Sequence, residues 1–104
     1  MITFTEAKEI AGRHIAASWE VDDDEPFLLD DLLIEKRYGW VFFYVSRKYF
    51  ETGDFRFEIL GNGPILVEKE TGEIIQFGTA HSTEHYLHEY EDNRLNPSTY
   101  RSET

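Results

Sequence analysis

The run Trp40-Val41-Phe42-Phe43-Tyr44-Val45 constrains this chain more than any other segment. Its aromatic and β-branched residues suit a pleated surface. Successive side chains of a strand point to opposite faces, so Trp40, Phe42 and Tyr44 line one face and Val41, Phe43 and Val45 the other. A strand that is apolar on both faces is central to its sheet. Either both faces are covered by other elements, or one waits for a partner, which leaves room for a homodimer through an uncovered face.

The segments around this run supply the covering layers. Ala7, Ile10, Ala11, His14, Ile15, Ser18 and Trp19 recur at the three- and four-residue spacing of one helical face. Thr3 and Glu6 have capping-box spacing, with Thr5 as an alternative cap, and the helix should end near Trp19. His14 on this stripe is expected to be a partly buried, hydrogen-bonded histidine. Asp22-Asp23-Asp24-Glu25-Pro26 reads as a solvated loop, since proline disfavours helix in the residue before it. Strand character runs from Phe27 to about Phe50, with Phe27-Leu28-Leu29 and Leu32-Leu33-Ile34 bracketing two acids and a turn or bulge at Lys36-Arg37-Tyr38-Gly39. Glu51 to Asp54 is a turn, and Phe55 to Leu60 is ambiguous. Gly61-Asn62-Gly63-Pro64 leads into a short strand, Ile65-Leu66-Val67. Glu70-Thr71-Gly72-Glu73 reads as a hairpin connection, with Ile74-Ile75-Gln76-Phe77 returning. Thr83 caps a last helix whose face carries Tyr86, Leu87, Tyr90 and Arg94. The order predicts a single α+β domain over residues 1–94, with a mainly antiparallel sheet of about four strands flanked by an N-terminal and a C-terminal helix. Residues 95–104 are a polar tail expected to fray.

Charge narrows the partners. The 104 residues hold 21 Asp and Glu against 10 Lys and Arg, a formal charge of −11, and no cysteine. Seven acids fall between Glu20 and Asp31 with no basic residue among them, and a second acidic group, Glu84, Glu89, Glu91 and Asp92, lies near the C-terminal end. Clustered like charge destabilises the compact state, so it calls for solubility or a basic partner as its reason. Phosphate backbones would be repelled, which excludes nucleic acid as partner. Aromatics at 15% argue for a folded globule. No apolar run approaches the ~18 residues of a membrane helix, and no export signal is visible, so a soluble cytoplasmic protein without disulfides or membrane contact is expected.

Residues with catalytic or metal-binding potential have simpler readings beside them. His81, His85 and His88 share a segment with Glu84, Glu89 and Asp92, residue types that zinc accepts. The segment lacks the His-Glu-x-x-His order and a distant fourth ligand, so a solvated helix face is expected and no metal. Gly61-Asn62-Gly63-Pro64 precedes a β-type run rather than opening a helix, which makes it a turn and not a phosphate cradle. Asp30 and Asp31, if in a strand, face opposite sides, which is wrong for a cooperating acid–base pair. Ser18, Ser46, Ser82, Ser98 and Ser102 lack a nucleophile-elbow context. No enzyme and no cofactor are expected.

The small-residue stripe of the first helix, Gly39-Trp40-Val41-Phe42, the block Gly61-Asn62-Gly63-Pro64-Ile65-Leu66-Val67 with Lys69, Thr71-Gly72-Glu73, and Thr83-Glu84-His85-Tyr86 together resemble the YrhB-like family. That family is also known as immunity protein 35, among the proteins that guard bacteria against polymorphic toxins. The likeness runs from about Phe4 to Tyr90, and its most specific piece is the Gly-Asn-Gly-Pro-Ile-Leu-Val block with Thr-Gly-Glu close behind. It implies a small cytoplasmic α+β protein that neutralises a cognate toxin by binding, or else acts as a chaperone-like general binder. It carries no catalytic motif onto these residues and has no counterpart for the loop Asp22–Glu25. The expected partner is a basic protein toxin, met by an acidic surface of Asp22, Asp23, Asp24, Glu25, Asp30 and Asp31 that speeds encounter. Trp40 is the expected aromatic anchor, with Phe42, Tyr44 and Tyr49 beside it if one face of the strand is exposed.

Overall fold

A computed structural model describes residues 1–57 and 63–95, with residues 57, 94 and 95 described by their backbone alone. The elements are α1 (Phe4–Ala17), β1 (Pro26–Leu28), β2 (Ile34–Lys36), β3 (Gly39–Phe42), β4 (Tyr44–Ser46), α2 (Arg47–Thr52), β5 (Ile65–Glu68), β6 (Ile74–Gln76) and α3 (Thr83–Leu95). Short 3₁₀ turns occupy Asp30–Leu32 and Phe55–Phe57. Four strands form an antiparallel sheet in the order β2-β3-β5-β6, and β1 pairs with β4 in a separate two-stranded sheet. The fold is α+β, as expected.

The central strand β3 sits between β2 and β5, with Trp40 opposite Val67, Val41 opposite Leu66 and Phe42 opposite Ile65. Both of its faces are covered. Trp40, Phe42, Ile65 and Val67 pack against Ala7, Ala11 and Ile15 of α1. Val41, Leu66 and Phe77 pack against Leu87 and Tyr90 of α3 on the other side. The molecule is thus layered as helix, sheet, helix. Of the two alternatives for this strand, covered on both faces or open on one, the described residues show the first.

The helix starts follow from local chemistry. Thr3 and Glu6 form the reciprocal capping box, so the cap is Thr3 and not Thr5. α1 ends at Ala17, two residues short of Trp19. His14 is exposed in the last turn of α1, not partly buried: the buried line runs through Ala7, Ala11 and Ile15 in steps of four, which leaves His14 at the stripe's edge. α3 is capped by Ser82 and not Thr83, since Ser82 Oγ accepts from the His85 N–H at 3.1 Å. The expected hairpin between β5 and β6 is present, with Gly72 at φ +75°.

Two strand expectations are corrected. The stretch from Phe27 to Ile34 is broken by the 3₁₀ turn at Asp30–Leu32, so Asp30 and Asp31 lie on a turn rather than in a strand. The run Trp40–Val45 is one extended path that changes partners at Phe43, leaving β3 in the large sheet and β4 in the small one. Strand character then stops at Ser46, not near Phe50, because Ser46 starts the helix α2. The expected turn at Gly61-Asn62, residues Glu58 to Leu60, the Arg94 side chain and the tail from Asn96 to Thr104 lie outside the described residues.

Two glycines in opposite settings test this packing. At Gly39 a Cβ would lie 2.3 Å from the Val67 carbonyl oxygen, so β3 and β5 approach too closely for a side chain there. At Gly12, inside α1, a Cβ meets nothing within 4 Å. Gly39→Ala is expected to lower stability by about 1–3 kcal/mol through overpacking. Gly12→Ala is expected to raise it by about 0.5–1 kcal/mol through the lower backbone entropy of alanine in a helix. Urea unfolding midpoints of the two variants check both signs.

Candidate functional site

The acidic loop is docked onto the start of α2. A helix leaves its first backbone N–H groups without intrahelical partners. Here the Arg47 N–H bonds to the Glu25 carbonyl at 2.9 Å, the Lys48 N–H to Asp24 Oδ1 at 3.2 Å and the Tyr49 N–H to Ser46 Oγ at 3.1 Å. Ser46, almost fully buried, also donates to Asp24 Oδ2. Trp19 Nε1 donates to the Asp24 carbonyl at 3.1 Å, fixing the loop to the end of α1. Burial alone would raise the Asp24 carboxyl, but bonds from Ser46, Lys48 N–H and Glu25 N–H, with the nearby Lys48 charge, hold it below its ordinary value.

The neighbouring acids are only partly neutralised. Lys48 Nζ lies 3.2 Å from Asp23, and Arg47 pairs with Glu25. A shallow depression of about 320 Å³ is lined by Asp22, Asp23, Asp24, Glu25 and Glu51 around Arg47 and Lys48. Asp22 is exposed and has no ion pair among the described residues. Of the remaining acids expected at the surface, Asp30 pairs with Lys8 of α1 at 2.9 Å and Asp31 is exposed on the next position of the same turn.

The aromatic expectation changes. Trp40 is 5% exposed and belongs to the core, meeting Phe4 edge-on with Lys69 Nζ 4.9 Å from its ring centroid. Phe42 is buried beside it, and Tyr44 and Tyr49 are partly buried. The face that carries Trp40 and Phe42 is the one that α1 covers, so neither ring is free to anchor a partner. The most exposed phenyl rings among the described residues are Phe50 on α2 and Phe55 just after it. They fell in segments read as strand end and as ambiguous. The available signals were Ser46, a preferred N-cap residue, and Gly53, a helix C-cap residue.

The other candidates resolve into structural roles. His85 Nε2 is 3.0 Å from Glu89 on an exposed stretch of α3, and the ring of His81, just before that helix, lies 4.2 Å from that of His85 between centroids. Among the described residues no group of three or more His, Asp or Glu is placed to hold a metal. Ser46 and Ser82 cap helices, while Ser98 and Ser102 lie outside the described residues. A groove of about 480 Å³ between β5–β6 and α3 is lined by Glu68, Glu73, Glu89, Tyr86 and Tyr90. Two of its carboxylates are engaged locally: Tyr90 and Thr71 donate to Glu68, and Glu89 lies 3.0 Å from His85 Nε2.

Comparison with known families decides the family. Residues 5–92 match the family described as Immunity protein 35. The chain belongs to that family. It is also 43% identical over 53 residues to the protein of Escherichia coli strain K12 called "Uncharacterized protein YrhB". That match spans 51% of the chain and 56% of the relative, so the two are aligned over about half of each length. No solved structure matches the chain. Within this immunity protein 35 domain, no described helix is long and apolar enough to cross a membrane.

Asp24 is the loop residue whose role the geometry specifies. Its folded carboxyl titrates below the ordinary 3.8, so the stability it contributes is complete above that value and is lost as pH falls through the lowered one. Asp24→Ala is expected to lower stability near neutral pH by about 1–2 kcal/mol, the usual cost of removing a helix-capping acceptor. The gap from the wild type should narrow as pH falls below 3.8 and through the lowered value, where the carboxylate becomes protonated. Thermal unfolding of the two proteins across that range measures it.

Proposed function

We propose that this chain is a cytoplasmic immunity-type protein that neutralises a cognate toxin by binding and occluding it, without catalysis. The observation that carries the reading is the family match over residues 5–92, nearly the whole folded domain. Charge supports the choice of partner. With a net charge of −11 and a depression lined by five carboxylates against two cations, the chain suits a protein that presents a basic surface. Toxins that cleave nucleic acid present such a surface, because they must bind phosphate. The proposed contact face is formed by Asp22, Asp23 and Glu25, with Asp30 and Asp31 on the adjoining turn. Asp24 serves it indirectly, by holding the loop in place. Exposed charge of this kind acts mainly on encounter, raising the association rate at low salt and rejecting acidic partners.

The test is co-expression in a sensitive bacterial host with the toxin encoded beside the gene, followed by binding kinetics with a catalytically inactive form of that toxin. The wild-type chain is expected to restore growth and to bind one partner tightly. Asp22→Asn/Asp23→Asn should slow association about three- to tenfold at low ionic strength, with the difference fading as salt screens the charges. Failure of the wild type to protect or bind would sink the proposal, and weak binding to many unrelated proteins would favour a chaperone-like module.

A further inference from the structure

The acidic loop has an apolar neighbour that the core does not use. Phe50 on α2 is 55% exposed, and Phe55, on the 3₁₀ turn that follows, is 78% exposed. Phe50 stacks on Phe27 of β1 with ring centroids 4.4 Å apart, and the Arg47 guanidinium lies 5.5 Å from the Phe27 centroid. α2 packs on β1, on β4 and on the Phe55–Phe57 turn, so these rings belong to one end of the molecule, that of the small sheet. The same α2 is held at its start by Glu25, Asp24 and Ser46. Rings and acids are therefore borne by one fixed support.

A single exposed hydrophobic side chain is ordinary. Two phenyl rings within six residues, left in water beside a depression of five carboxylates and two cations, form a surface of a particular kind. Interfaces that hold tightly are built from aromatic anchors ringed by polar and charged groups. Charge complementarity selects the occupant. A second copy of this chain would bring two acidic rims together, each on a molecule of charge −11. An anionic lipid surface would be repelled likewise. A basic protein meets both components.

We infer that Phe50 and Phe55 are the apolar anchors of the toxin-binding face, and that they seat in an apolar hollow of the toxin rimmed by Lys or Arg. This deepens the proposed inhibitor function and rests on it. Roles divide between the two components. Asp22, Asp23 and Glu25 govern how fast the complex forms, and the rings govern how slowly it separates.

The experiment measures association and dissociation rates against the inactive form of the toxin encoded beside the gene. It compares the wild type, Phe50→Ala/Phe55→Ala, Phe55→Ala alone, Asp22→Asn/Asp23→Asn, and Glu73→Gln/Glu89→Gln in the groove beside α3. The double phenylalanine variant should dissociate about thirtyfold faster or more, the range of interface hot spots, with its association rate and salt dependence unchanged. Phe55→Ala should show part of that effect while unfolding at the wild-type temperature, which separates binding from folding because its ring is 78% exposed. The Glu73/Glu89 variant should bind like the wild type. If the wild type binds and both phenylalanine variants keep its dissociation rate, the assignment is overturned while the inhibitor function stands. A chain that sediments as a dimer dispersed by the double variant would put a second copy on this face and also overturn it. A wild type that does not bind removes the inhibitor function and the surface with it.

Discussion

The antiparallel pairing of β3 with β5 is the constraint from which the rest of the structure follows, because it places Trp40, Val41 and Phe42 against Val67, Leu66 and Ile65 and leaves a sheet apolar on both sides. Such a sheet is stable only between two layers. α1 meets that need with small residues: Ala7 and Ala11 let its backbone come close enough for Trp40 and Phe42 to pack beneath it. α3 works differently. Its face is tyrosine-rich, and tyrosine offers an apolar body with a polar tip. Tyr90 is buried against Leu66 and Phe77 while its hydroxyl donates to Glu68 of β5, and Tyr38 donates to Glu91 of α3 at 2.6 Å. Part of the acidic excess is thus used to fasten the second layer.

The small sheet depends on the same economy of charge. Four consecutive acids from Asp22 to Glu25 would repel one another on a free loop. Here the loop supplies a carbonyl and a carboxylate to the unpaired N–H groups at the start of α2, and Arg47 and Lys48 in the first turn of that helix answer Glu25 and Asp23. The salt bridges are exposed and contribute little each. The backbone capping is the stronger term, since an unmet buried donor costs more than an exposed ion pair returns.

The sequence announced those parts of the fold that rest on local periodicity and caps. The α1 stripe, the Thr3–Glu6 box, the hairpin at Gly72 and the two-faced run at Trp40 each carry a signal within a few residues. The capping of α2 by Asp24 does not, because its partners Ser46 and Lys48 lie more than twenty positions away and no spacing rule connects them. That one long-range contact explains two differences at once. It turns the end of the expected strand into a helix, and it converts Asp24 from a surface acid into a structural one. The misplacement of Trp40 has a similar origin. Alternation shows that both faces of a strand are apolar but not which of them is covered, and α1 lies over the face that carries Trp40. Asp22, Asp23, Glu25, Asp30 and Asp31 are the candidate acids whose exposure agrees with expectation, since loop acids tend to stay in water.

Structural and proposed binding roles therefore fall on different residues of one short segment. Asp24 and Ser46 point inward and hold α2, and changing either uncaps the helix. Asp22 and Phe55 point outward, and neither belongs to the two core clusters that hold the large sheet. A partner contact built from the outward set can vary in charge and shape without loosening the sheet, provided the inward set keeps α2 in place. This arrangement suits the proposed inhibitor function, in which one particular toxin has to be matched. The core supplies a fixed frame, and the small sheet carries the exposed groups from which an interface of chosen chemistry can be made.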